Sequence, residues 1–80
     1  MNKTQVSLLA KIVQQAEANG GKVKYVECSP GTEYDVKVGI EGMKGDISAR
    51  IQPDGRIFDA MKRETTSSDI GRAVRLGLTA

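Results

Sequence analysis

Between residues 4 and 19 the apolar positions Val6, Leu9, Val13 and Ala16 follow the i, i+3, i+7, i+10 course of one helical face, and Leu8 and Ile12 widen the stripe. The pattern predicts an amphipathic helix. Asn2 with Gln5 three positions later has the spacing of a capping box, and Asn19-Gly20-Gly21 supplies residues that tolerate a left-handed backbone where the helix must stop. From Lys22 onward the period shortens to two. Residues 22–28 carry Val23, Tyr25, Val26 and Cys28, and the adjacent pair Tyr25-Val26 predicts either a bulge or a strand partly covered on both faces. Ser29-Pro30-Gly31-Thr32 reads as a turn. Over residues 33–40, Tyr34, Val36, Val38 and Ile40 take one face of a strand while Glu33, Asp35 and Lys37 take the other.

Gly42-Met43-Lys44-Gly45 reverses the chain into residues 46–52, where Ile47, Ala49 and Ile51 alternate with Asp46, Ser48, Arg50 and Gln52. Pro53-Asp54-Gly55 is a tight-turn signal, and residues 56–61 complete a fourth strand. Residues 62–66 lead into the N-cap candidates Ser67, Ser68 and Asp69, after which Ile70, Ala73, Val74, Gly77 and Leu78 share a helical face. Gly71 and Gly77 would each cost about 1 kcal/mol relative to alanine inside a helix, so this second helix must dock to persist. The expected fold is a single α+β domain over residues 1–80, in the order α-β-β-β-β-α, with an antiparallel meander packed against helices.

Composition narrows the picture. With 39% hydrophobic and 28% charged residues the chain is expected to be globular, and at 80 residues it buries only about 60–65% of its unfolded surface. Its three aromatic residues are Tyr25, Tyr34 and Phe58, so the core must come from Val, Ile, Leu, Ala and Met. The apolar positions near the N-terminus are interrupted by Ser7, Lys11, Gln14 and Gln15, which does not make a signal-peptide core, and no apolar run approaches a membrane span. The single Cys28 cannot form an internal disulfide and is expected to pack as a small hydrophobe. A reducing cytoplasm is the expected location.

Catalytic chemistry has little to draw on. Histidine is absent, so Cys28 lacks its usual activating partner and zinc its commonest ligand. The carboxylates Glu33, Asp35, Asp46, Asp54 and Asp59 fall at outward or turn positions and read as solvated charge, and the glycines at 39, 42 and 45 lie in a hairpin and not in a phosphate loop. No catalytic residue, cofactor or metal is assigned. Net charge is only +2, yet residues 61–80 hold Lys62, Arg63, Arg72 and Arg75 against Glu64 and Asp69. These four cations are the candidate partner-binding set, suited to an acidic surface. Ile70, Val74 and Leu78 form a candidate self-association stripe for a homodimer.

Gly21-Lys22-Val23, Tyr34-Asp35-Val36-Lys37-Val38, Ile51 and Asp54-Gly55-Arg56-Ile57 together resemble the pattern of a PepSY-type domain over residues 21–62, about half the chain. That resemblance implies a helix ahead of a small antiparallel sheet and a non-catalytic module that binds or restrains a peptidase, usually outside the cytoplasm. The helix, sheet, helix order over residues 7–78 is also similar to a double-stranded RNA-binding domain. In that family a Lys-Lys-x-Ala-Lys cluster opens the second helix, where this chain has Ser67-Ser68-Asp69-Ile70-Gly71-Arg72. The expected function is therefore non-catalytic protein binding, as a small stoichiometric inhibitor or adaptor of the kind phages and bacteria use. Nucleic-acid binding is the alternative.

Overall fold

The structure is a computed structural model that describes residues 1–77. Helix α1 (Lys3–Ala18) is followed by strands β1 (Lys22–Cys28), β2 (Val36–Gly42), β3 (Gly45–Ile51), β4 (Ile57–Asp59) and β5 (Glu64–Thr65), and then by helix α2 (Ser67–Leu76). The strands form one antiparallel sheet in sequential order, and both helices lie on the same face. The α+β class and the meander are as expected, but the sheet has a fifth strand. Glu64 and Thr65 pair with Phe58 and Ile57, in a stretch that the sequence offers only as a lead-in to α2. Two residues carry no readable alternation, so this strand exists through its pairing alone.

The capping box forms at α1. The Asn2 side chain accepts from the Gln5 backbone N–H at 2.8 Å, and the Gln5 side chain accepts from the Asn2 N–H at 3.0 Å. Gln5 does more than cap. It is fully buried, and its amide nitrogen donates to the backbone carbonyls of Tyr34 at 2.8 Å and Ile51 at 3.0 Å. Asn2 in turn donates to the Pro53 carbonyl at 3.0 Å. The start of α1 thus ties together the loop ahead of β2 and the turn after β3.

The core is wholly aliphatic. Ile12 and Ala16 of α1, Val36, Val38, Ile40, Ile47, Ala49, Ile51 and Ile57 of the sheet, and Ile70, Ala73 and Val74 of α2 are its buried members. Ile70 and Val74 are 1% and 0% exposed, so they are used within the fold. This corrects the self-association reading for those two residues: the apolar stripe of α2 meets the sheet and α1. Leu78 lies outside the described residues. Gly71 explains how α2 docks, because a methyl group there would come within 2.7 Å of the Gln15 side-chain oxygen and 2.9 Å of the Asn19 side-chain nitrogen. Its helix-propensity cost is offset by close helix approach. Gly77 is not interior; it caps α2 with φ of 94°.

Replacing Gln5 with Leu keeps the volume but strips the Tyr34 and Ile51 carbonyls of their donor. The expected loss is about 3 kcal/mol, read from urea unfolding. Gln5→Glu should destabilise too, because a carboxylate would face two carbonyl oxygens.

Candidate functional site

The helices cover one face of the sheet and leave the other open. Alternation sends Lys37, Gly39 and Glu41 of β2, Asp46, Ser48 and Arg50 of β3, and Phe58 of β4 to this open face, opposite the buried Val36, Val38, Ile40, Ile47, Ala49, Ile51 and Ile57. Of the two arrangements that Tyr25-Val26 allows, β1 takes the bulge, which falls between Val23 and Tyr25. It puts Val23 and Val26 opposite Ile40 and Val38 on the helix side, and Tyr25 and Glu27 opposite Gly39 and Lys37 on the open side. Two rows result. Tyr25, Gly39 and Ser48 stand in register, and beside them run Glu27, Lys37, Arg50, Phe58 and Glu64.

Gly39 seats the aromatic ring. A methyl group at this position would fall within the Tyr25 ring, so the ring lies flat on the glycine backbone. Around it opens a shallow hollow of about 570 Å³, lined among others by Tyr25, Lys37, Ser48, Arg50, Phe58 and Lys62. Asp35 lies 3.8 Å from Arg50 at the rim. Neither Lys37 nor Lys62 has an ion-pair partner among the described residues. The hollow therefore combines two aromatic surfaces, two unpaired cations, one loosely paired guanidinium and a hydroxyl with the carboxylates of Asp35 and Asp59.

Lys62 reaches this place through a constrained turn. It is the non-glycine residue with a positive φ, 63°, among those described. Asp59 imposes that conformation, because its carboxylate accepts from the backbone N–H groups of Met61 at 2.8 Å and Arg63 at 3.0 Å. Its side chain is only 8% exposed. Asp59 is thus a turn organiser, a correction to its reading as solvated charge. A left-handed lysine costs on the order of 1 kcal/mol, which the Asp59 hydrogen bonds sustain.

At the far end of the open face Lys24 reaches across β2 to Asp46 of β3, at 2.8 Å. Its hydrogen bond to that carboxylate, and then their Coulombic attraction, raise the Lys24 pKa above its ordinary value. A raised lysine contributes stability that is complete below its unfolded pKa and is lost only as alkaline pH passes the folded one. Near neutrality the contribution of Lys24 is insensitive to pH.

The four cations expected to act together are separated. Lys62 belongs to the sheet hollow, whereas Arg63 and Arg72 line a second, smaller groove of about 380 Å³ between β5 and α2, in the company of Asp59, Glu64 and Asp69. Arg75 is exposed on α2 and lines neither hollow. The second groove has two cations against three carboxylates and offers less to an acidic partner. The aromatic pair and the cations at 37 and 50 were not singled out by the sequence; the usable signal was that Phe58 is out of phase with the buried Ile57.

Cys28 is exposed at the end of β1, against the expectation of a packed thiol, because it lies on the edge strand, which is exposed along nearly its whole length. Among the described residues no group of His, Cys, Asp and Glu side chains could hold a metal ion, and no helix is long and apolar enough to cross a membrane.

Two outcomes check this geometry. Gly39→Ala should displace Tyr25 and cost about 2 kcal/mol, while the Gly39 Hα resonance should be shifted upfield by the ring and return towards its ordinary position in Tyr25→Leu. The Cys28 thiol should react with Ellman's reagent in native protein, without denaturant. Comparison of the chain with protein-family models, curated proteins and solved structures finds no match.

Proposed function

We propose that this protein is a non-catalytic recognition module that binds a protein partner stoichiometrically, through the open face of its sheet, where the cations of the hollow receive an individual carboxylate of that partner. The observation that carries the reading is the placement of the aromatic residues. None of Tyr25, Tyr34 and Phe58 enters the core, in a chain that has no others. Burying an aromatic side chain is among the largest apolar gains open to a small domain, so a core built without any is a costly choice. Two of the three stand instead on the uncovered sheet face beside Lys37, Arg50 and Lys62. Aromatic rings and arginine are the side chains that dominate protein-binding energetics.

A partner carboxylate set between Lys37 and Arg50 would gain charge-assisted hydrogen bonds, while an apolar side chain beside it covers Tyr25 and Phe58. Lys62 adds a third cation from the left-handed turn, and backbone strain retained at such a place fits a residue kept for recognition. The second reading, single-stranded nucleic acid, draws on the same rings as stacking platforms. Its weakness is charge. Glu27, Glu41, Asp46 and Glu64 occupy the same face, and neutralising about three phosphates gives a log–log salt slope of only about −2.

The test is capture of a partner from lysate by the wild-type protein and by Lys37→Gln/Arg50→Gln, which removes both cations without setting carboxylates against Glu27 and should stay close to the wild-type urea midpoint. One stoichiometric protein held by the wild type and lost by the variant supports the reading. Lys62→Gly should relieve the turn and leave stability unchanged or slightly higher, while weakening the same complex about tenfold. Retention of the partner by the double variant would overturn the proposal, and so would tight oligonucleotide binding with a steep salt dependence.

A further inference from the structure

We infer that two copies of this chain pair antiparallel along β1, about a two-fold axis at Val26, to form a continuous ten-stranded sheet. β1 is hydrogen-bonded to β2 on one side only and is seven residues long, whereas the opposite edge, β5, has two residues and runs directly into α2. An edge of this length exposes a row of unpaired backbone groups.

The side chains beside that edge are apolar and uncovered. Val26 is 41% exposed although its ladder partner Val38 is fully buried, and Cys28 is exposed opposite the buried Val36. On α1, Gln15 and Asn19 face α2 at Gly71, so the stripe Val6, Leu9 and Val13 lies on the other flank of the helix, where α1 packs on β1. Val6, at its end, is 54% exposed. An open backbone edge and an apolar helix flank therefore lie side by side.

The strand itself names its occupant as a second copy. Val23, Val26 and Cys28 face the helices, whereas Tyr25 and Glu27 face the open side. A two-fold axis at Val26 sets Val26 against its counterpart and Tyr25 against Glu27 of the second copy, so both faces continue across the seam and the two α1 flanks approach one another. Moving the axis to Glu27 opposes two carboxylates. Moving it to Tyr25 sets Glu27 against Val23 and mixes the faces, which a half-buried sheet does not tolerate. The bulge and Lys22 and Lys24 block longer pairing, and the short opposite edge prevents repetition, so the assembly closes at two. With the axis at Val26 the seam covers residues 24–28, about 17 Å of strand, which places the contact in the small-interface class, with dissociation in the micromolar range.

Sedimentation equilibrium from about 1 to 500 μM should show a monomer–dimer equilibrium. Val26→Asp should weaken it at least about tenfold in a domain that stays folded by circular dichroism, at some loss of urea midpoint because Val26 is more than half buried, whereas Leu76→Asp, on the exposed end of α2, should leave it unchanged. Amide exchange at residues 25–28 should slow as concentration rises. Lys37→Gln/Arg50→Gln should still dimerise, so this inference and the partner-binding reading fail separately. A monomer throughout the range, a dimer indifferent to Val26→Asp, or concentration-dependent protection elsewhere with none in β1 would overturn it.

Discussion

The amide of Gln5 is the interaction on which the arrangement of this small domain depends. It is the fully buried polar side chain of the core, and both of its donated bonds end on backbone carbonyls distant in sequence, at Tyr34 and Ile51. Removing a polar side chain from such a site leaves its former partners unsatisfied in a medium that cannot rehydrate them. The next residues along the chain, Asp35 and Gln52, line the hollow on the opposite face of the sheet. A tether on the helix side thereby fixes the rim of the candidate recognition surface, and α1 influences a site from which the sheet separates it.

The second helix is held by different means. Its apolar stripe completes the core, Gly71 lets it approach α1 closely, and near its end the Val74 carbonyl accepts from the Met43 backbone N–H at 2.8 Å. That last bond anchors α2 to the turn between β2 and β3, so the helix is fastened by backbone as well as by packing. The polar side of α2 is left to Arg72 and Arg75. Two helices on one side and none on the other give a two-layer domain with a permanently uncovered sheet, and the residues on that uncovered side bear the candidate chemistry.

What could be read in the sequence was local. The capping box at Asn2 and Gln5, the bulge around Lys24, the hairpin at residues 42–45 and the start of α2 each follow from neighbouring residues, and each is found where the pattern places it, to within one or two positions. What could not be read depended on which element covers which face. Cys28 reads as a core thiol because its own phase is inward, but it stands on the uncovered edge strand and is exposed. Ile70 and Val74 looked like a docking stripe because a helix pattern does not say whether its partner is the same chain. Tyr25 and Phe58 were counted as apolar strand residues, and only the register shows them on the open side, together with Lys37 and Arg50 from separate strands. Asp59 was indistinguishable from surface charge until the turn it closes was seen.

The irregularity in β1 has a bearing on how the chain tolerates changes of length. Lys24 is the additional residue that lets Val23 and Val26, three positions apart, point the same way. Excising Lys24 would restore plain alternation and leave every remaining side chain of the strand on its present face, at the expense of the bond to Asp46. Excising Tyr25 would likewise let Lys24 take its place opposite Gly39, whereas excising Val26 or Glu27 would invert the phase of part of the strand relative to β2. The edge strand can thus shorten by one residue at a single point, and that point has been prepared by the distortion already there.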